Sequence, residues 1–208
     1  MELAVYIPAF VALFVVIDPI GMAPLFVALT AGQSARQRRA IAVRSCVVAF
    51  GILTLFGLAG EQVLAFLGIS MPAFRMAGGI LLFLTALDML FERRGARRKG
   101  QADQAEADHR DDPSVFPLAI PLIAGPGAIA TMILLTGQEG GDFTHVLLVH
   151  LVMAAVVACV LMLFLLAAPL ERLLGPTGIN VVTRLLGMLL AALSVQFVID
   201  GMRDLQVI

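Results

Sequence analysis

Six long apolar stretches leave this chain few folds other than a bundle of membrane-spanning helices. They lie at residues 4–29, 41–60, 70–91, 116–136, 144–168 and 180–201. A helix needs about 20 apolar residues to cross the hydrocarbon core of a bilayer. The hydrophobic share of the chain is 60%, against about 45–50% in soluble domains. The sequence therefore predicts an all-α membrane protein with six transmembrane helices.

Positive charges lie almost entirely on one side of these six predicted spans. The other side keeps only Arg75 and Arg203. Because cytoplasmic loops of membrane proteins are enriched in Lys and Arg, we expect both termini outside and residues 92–115 in the cytoplasm. The charges on the predicted cytoplasmic side are Arg36, Arg38, Arg39, Arg93, Arg94, Arg97, Arg98, Lys99, Arg110 and Arg172, with Arg44 and Arg184 close to it.

The segment 92–115 is polar and changes from basic to acidic along its length. A segment of this composition cannot bury a core, so it is typical of a flexible tether. An additional interpretation is that its basic half contacts anionic lipid head groups. The segment divides the chain into residues 1–91 and 116–208.

These two parts resemble each other, which indicates an internal duplication. Arg75-Met76-Ala77-Gly78 at the third span is matched by Arg184-Leu185-Leu186-Gly187 at the sixth. The first and fourth spans each contain a Pro/Gly interruption, at Asp18-Pro19-Ile20-Gly21 and at Gly125-Pro126-Gly127. Proline removes a backbone donor, so each helix should break there, near the midplane of the membrane. Three spans per copy force opposite orientations, which predicts inverted repeats with a central site exposed alternately to each side.

These residues also carry a family resemblance. The chain resembles the MarC family of bacterial inner-membrane proteins, which includes SnatA-type small neutral amino acid transporters. The matching stretches include Asp18-Pro19-Ile20-Gly21, the segment Phe116–Pro121 leading to Ala124-Gly125-Pro126-Gly127, and Val195-Gln196-Phe197. The resemblance implies six helices, a bacterial inner-membrane location and proton-coupled transport of glycine, alanine and similar amino acids. Relatives often carry Asn where this chain has Met22, which leaves the exact substrate open.

Asp18 is the ionisable residue placed deepest in a predicted span. An ionised carboxylate there is costly and usually functional. Asp before Pro is also a strong helix start, so Asp18 could serve only as the N-cap of the second half-helix. The alternative is a cap that also carries a proton or binds a substrate ammonium group, with Pro19, Gly21 and Met22 beside it.

The second break offers backbone rather than a side chain. Neither Ala124 nor Gly125 has a side-chain oxygen, so the free N–H groups after Pro126 are available to an anion such as an amino acid carboxylate. Gly127 would let a small substrate approach. The alternative is that this kink only permits close helix packing. Thr131 and Gln196 are candidates for polar lining or for interhelical hydrogen bonds.

Four charged residues near helix ends are candidate gate residues. Arg75 and Arg184 either extend to the interface or pair with Asp200 or Asp88 near the same membrane faces. We find no Cys/His spacing typical of a metal site and no nucleophile–base motif or phosphate loop. The sequence thus predicts a secondary transporter without cofactor or metal rather than an enzyme. Its expected partners are small amino acids and lipid, not nucleic acid, and the alternative function is a channel or lipid-handling protein.

Overall fold

The described part of the protein is helical throughout. A computed structural model describes residues 6–95, 98, 100, 112–137 and 142–205. The start of the first predicted span and most of the predicted tether, with Arg97, Lys99 and Arg110, lie outside the described residues. The helices are α1 (Ile7–Ile17), α2 (Pro19–Leu29), α3 (Ala35–Phe66), α4 (Met71–Leu90), α5 (Ser114–Ile123), α6 (Pro126–Thr136), α7 (Phe143–Leu165) and α8 (Ala167–Asp204).

The described helices confirm the predicted all-α membrane protein. Five helical stretches are long and apolar enough to cross a membrane, and a sixth is obtained if α5 and α6 are counted as one bent span. Of the most apolar 18-residue stretch of each span, 61% is buried inside the protein in α1–α2 and 17% in α8. The broken helices therefore lie in the centre of the bundle, and the outer helices present apolar side chains outward.

The two predicted breaks are present but differ in shape. The stretch Ile7–Leu29 continues as one 23-residue span through the break at Asp18, whereas α5 and α6 are bent by 56° at theirs. The α5 segment is irregular, because Phe116 and Ile120 have extended backbone angles and Ala124 N–H donates to Ala119 O, five residues back. Internal Pro117 and Pro121 supply no N–H for regular α-helical bonds.

Two helices extend beyond the apolar stretches that predicted them. Helix α3 begins at Ala35 instead of 41, because Ser34 and Gln37 form a reciprocal capping box at its start. Helix α8 also occupies the interval between the predicted spans 144–168 and 180–201, since it is already helical from Ala167. Gly175 interrupts it with φ +61°, and Pro176 starts the next helical part. Hydropathy marks the segment inside the membrane rather than the ends of the helix.

Helices α4 and α8 pack against each other along most of their length. A Cβ added to Gly79 would lie 2.8 Å from Ser194 O, and one added to Gly187 would lie 2.9 Å from Met89 Cβ. An early residue of α4 thus faces a late residue of α8, and the reverse, so the two helices are antiparallel. Their glycines allow the close approach of the backbones.

Candidate functional site

The first break is built around the carboxylate of Asp18. Asp18 has a left-handed backbone conformation (φ +56°), is fully buried, and accepts a hydrogen bond from Gly21 N at 3.1 Å. Asp and Asn adopt this conformation more readily than most residues. A Cβ on Gly21 would collide with the carboxylate, so glycine there lets Asp18 lie against the backbone. The predicted N-cap role is present in the structure.

Two arginines from the segment after α4 complete this break. Arg98 Nη1 pairs with Asp18 Oδ2 at 3.0 Å, and Arg98 Nη2 donates to Ile17 O at 2.9 Å. Arg94 donates to Val16 O and to Met89 Sδ. The Arg98 and Asp18 side chains are only 8% and 1% exposed. For Arg94 and Arg98 the structure therefore differs from both interpretations of the basic segment, the solvated tether and the lipid contact.

These contacts match the charge distribution at the end of α1. The last carbonyl groups of a helix have no partner within it and carry a partial negative charge. Pro19 has no N–H to offer them. The Asp18 carboxylate adds a full negative charge at the same place, so a buried cation is needed there, and Arg98 supplies it.

The second break is bare backbone, as the sequence predicted. Gly125 is the N-cap of α6 with extended backbone and no side-chain cap. A Cβ on Gly125 would lie 2.6 Å from Pro121 O, and one on Gly127 would lie 3.1 Å from Val16 Cγ1 and 3.3 Å from Leu82 Cδ2. Gly127 therefore packs directly against the last turn of α1, which brings the two breaks into contact.

A cavity of about 290 Å³ opens beside this contact. Its wall carries both signs of charge, from Asp88 on one hand and from Arg94 and Arg98 on the other. Thr85 adds a hydroxyl group, although this group donates to Leu81 O in the same helix. The described lining residues are Val16, Thr85, Asp88, Arg94, Arg98, Pro121, Leu122, Ile123, Gly125, Pro126, Gly127 and Ala128.

Of the residues predicted to bind substrate, Gly125, Pro126 and Gly127 line the cavity. Asp18 lies behind Arg98, which separates its carboxylate from the open space. The others are not among the described lining residues. Pro19, Met22 and Ala124 are buried, and Gly21 N donates to Asp18. Thr131 donates to Gly127 O, and the exposed Gln196 donates to Asp200. Met22 is completely buried in the apolar core.

The two candidate gate arginines form ion pairs, as one of the two interpretations held, but with acids four residues beyond Asp200 and Asp88. Arg75 pairs with Asp204 at 2.5 Å instead of with Asp200, and Arg184 pairs with Glu92 at 2.7 Å instead of with Asp88. The two pairs stand at opposite ends of the antiparallel helices α4 and α8. Helix α8 continues past its apolar stretch to Asp204, and Glu92 lies in the turn directly after α4.

Sequence reasoning missed Arg94 and Arg98 as site residues. They are four residues apart, which places them on one face if the helical winding resumes after α4. The spacing alone could have suggested a shared contact, but nothing in the sequence names Asp18 as its target. Within the part of the chain that the structure describes, no three His, Cys, Asp or Glu residues are grouped so as to hold a metal ion.

Comparison with known proteins identifies the family of this chain. A family model described as "MarC family integral membrane protein" matches residues 3–206. This chain belongs to the MarC family. Among MarC relatives, a UPF0056 membrane protein of Archaeoglobus fulgidus is 40% identical over 203 residues, which cover 97% of this chain and 94% of that protein.

Two further relatives agree with this assignment. A UPF0056 membrane protein of Aquifex aeolicus is 39% identical over 202 residues, covering 96% of this chain and 93% of that protein. The UPF0056 inner membrane protein YhgN of Escherichia coli is 35% identical over 199 residues, covering 95% of each chain. These names state a membrane location and no activity. No solved structure matches the chain.

Proposed function

We propose that this MarC-family protein is a secondary transporter of small neutral amino acids such as glycine and alanine. The observation that carries the proposal is the small cavity at the contact of two broken helices, with charges of both signs in its wall. Ligand pockets for drug-sized molecules occupy about 300–1,000 Å³, so a cavity of about 290 Å³ suits a small ligand. A zwitterion is the ligand that uses both signs of charge.

The carboxylate of the substrate would lie at the start of α6. The first N–H groups of a helix have no partner within it and favour an anion. Gly125 and Gly127 carry no side chain to cover them, and Arg94 adds positive charge to the same wall.

Alternating access is proposed on the arrangement of the two repeats. Helices α4 and α8 hold equivalent places in residues 1–91 and 116–208, and they are antiparallel. An ion pair stands at each end of them, Arg75 with Asp204 and Arg184 with Glu92. Breaking one pair while keeping the other would open one side of the cavity at a time.

Location and coupling are part of the same proposal. The arginine asymmetry favours a cytoplasmic membrane location with both termini outside, and one relative is named an inner membrane protein. Proton coupling is expected from the family resemblance, and the position of Asp18 in its span makes it the candidate proton carrier. A carboxylate buried at a helix break, where protonation would release its cation, is suited to that task.

The test uses purified full-length protein in liposomes preloaded with unlabelled glycine. We expect saturable counterflow of labelled glycine, competition by alanine, and little competition by glycinamide or acetate, each of which lacks one charge of the zwitterion. A pH gradient should drive accumulation if protons are coupled. Ohmic current without counterflow would instead indicate a channel, and conversion of glycine to a product would indicate an enzyme. Counterflow that glycinamide inhibits as well as alanine does would contradict the carboxylate site.

A further inference from the structure

We propose that Arg98 occupies a subsite for a primary ammonium group, and that the amino group of the substrate replaces it during transport. The subsite consists of the Asp18 carboxylate and the Ile17 carbonyl group, which Arg98 holds at 3.0 and 2.9 Å. This inference rests on the proposed function and identifies the amine end of the same site. It also assigns a segment between the two repeats a direct part in substrate binding.

The acceptors at this place suit any cation that carries N–H groups. One guanidinium group reaches both acceptors through its two terminal nitrogens. An ammonium group has three N–H donors on a single compact centre, so it can serve the same two oxygens. The end of α1 adds its partial negative charge. In transporters with discontinuous helices, such half-helix ends bind the coupling cation.

Charge compensation explains why Asp18 has a partner, but it does not explain why the core contains an ion pair at all. Removing two charges from water costs several kcal/mol per ion, and a well-packed apolar pair is often as stable as a buried ion pair. Once Asp18 is buried it needs a cation, but stability alone gives little reason to keep the ion pair instead of an apolar pair. A buried ion pair is better explained where one partner can be exchanged, as in a switch.

The cavity and the subsite form one continuous site when Arg98 leaves. Arg98 itself is part of the cavity wall, and Gly127 at the start of α6 packs against Val16, two residues before Asp18. An α-amino acid has its amino and carboxylate groups on adjacent carbon atoms. The proposal therefore requires the Asp18 carboxylate and the first N–H groups of α6 to face the same open space once Arg98 has left.

Competition between Arg98 and substrate has a measurable consequence. When the binding-competent state is only fractionally populated, the apparent dissociation constant rises by the reciprocal of that fraction. If Arg98 holds the subsite in about nine molecules of ten, removing its charge lowers the apparent KM for substrate about tenfold. A carboxylate-binding role for Arg98 would have the opposite effect.

The first experiment does not require transport and uses the unmodified protein. Trypsin must draw an arginine side chain into its own pocket, so cleavage after the buried Arg98 should be slower than after the exposed Arg93. Early fragments of full-length protein in detergent would be quantified by mass spectrometry. We expect ethylammonium to accelerate cleavage after Arg98 severalfold without affecting cleavage after Arg93. Tetramethylammonium, which has no N–H donor, should do nothing at equal ionic strength.

The second experiment compares Arg98→Gln with Arg93→Gln in glycine counterflow. Both variants remove one positive charge from the same segment, but only Arg98 contacts Asp18. We expect the KM for glycine to fall about tenfold in Arg98→Gln and to stay unchanged in Arg93→Gln. If Arg98→Gln does not fold, the trypsin experiment on unmodified protein still tests whether an amine displaces Arg98 from Asp18.

The results separate the two proposals. Ethylammonium-dependent cleavage without glycine transport would support the ammonium subsite and contradict the proposed function. Glycine transport with an unchanged or raised KM in Arg98→Gln, and no effect of ethylammonium, would overturn the subsite and leave the proposed function standing. Equal cleavage after Arg93 and Arg98 without any added cation would show that Arg98 does not occupy the break, which also overturns the inference.

Discussion

The buried pair of Asp18 and Arg98 allows a sharp test by substitution. Asp18→Asn keeps a side-chain oxygen for the cap on Gly21 N and tolerates the left-handed backbone, so it removes the charge and little else. Both side chains are less than a tenth exposed. Removing one partner of such a pair leaves an uncompensated buried charge and costs about 3–5 kcal/mol. We therefore expect Asp18→Asn to lower the free energy of unfolding by that amount.

Two further variants divide this cost into its parts. Asp18→Ala should cost about 1 kcal/mol more through the lost cap and about 1–2 kcal/mol more through the left-handed backbone. The double variant Asp18→Asn/Arg98→Gln has no buried charge and should be more stable than either single variant. Arg184→Gln is a control, since its pair with Glu92 is about half exposed and should contribute less than about 1 kcal/mol.

The thiol of Cys46 provides the assay. Cys46 is buried and forms no disulfide. Its labelling rate in a denaturant series therefore reports the opening of the protein. The five variants, which include the single variant Arg98→Gln, would be compared with the parent in the same detergent. A cost below about 1 kcal/mol for Asp18→Asn, equal to an exposed pair, would refute a desolvated ion pair. A double variant less stable than both single variants would refute charge compensation as its cause.

Three other substitutions test a helix contact and a hydrogen bond. Gly79→Ala would place a Cβ 2.8 Å from the backbone oxygen of Ser194 and should cost about 1–3 kcal/mol through overpacking. The control Gly51→Ala meets nothing within 4 Å and should be neutral or stabilising by up to about 1 kcal/mol. Equal effects of the two substitutions in the Cys46 assay would argue against close contact of α4 and α8. Tyr6→Phe removes the O–H that donates to His145 Nδ1 at 3.2 Å and should cost about 1 kcal/mol; no change in that assay would mean that this hydrogen bond does not stabilise the fold.

Local chemistry made the two helix breaks predictable. Pro19 and Pro126 lack a backbone N–H whatever the tertiary fold. The end of α1 and the start of α6 therefore follow from neighbouring residues. The cap by Asp18 and the uncapped start at Gly125 are equally local. Of the two interpretations of Arg75 and Arg184, the pairing one named acids four residues before the actual partners, because spacing along a span does not show which acid a long arginine side chain reaches.

The contact of Arg98 with Asp18 could not be predicted in this way. The two residues are 80 positions apart, and the basic run around Arg98 has the composition of a solvated segment. Composition describes what a segment would do in water. It does not account for a carboxylate and two unpaired carbonyl groups elsewhere in the chain that need a cation.

The sequence by itself determined the membrane class, the helical content, the two breaks and the backbone character of the second one. These properties depend on hydropathy over about 20 residues and on proline and glycine acting within a few residues. Tertiary structure decided that the breaks touch through Gly127 and Val16, and that Arg98 is paired with Asp18. Both depend on distant segments meeting in a low-dielectric interior. An isolated charge is costly there, so Asp18 needs a cation. Which cation reaches it depends on how the bundle is assembled.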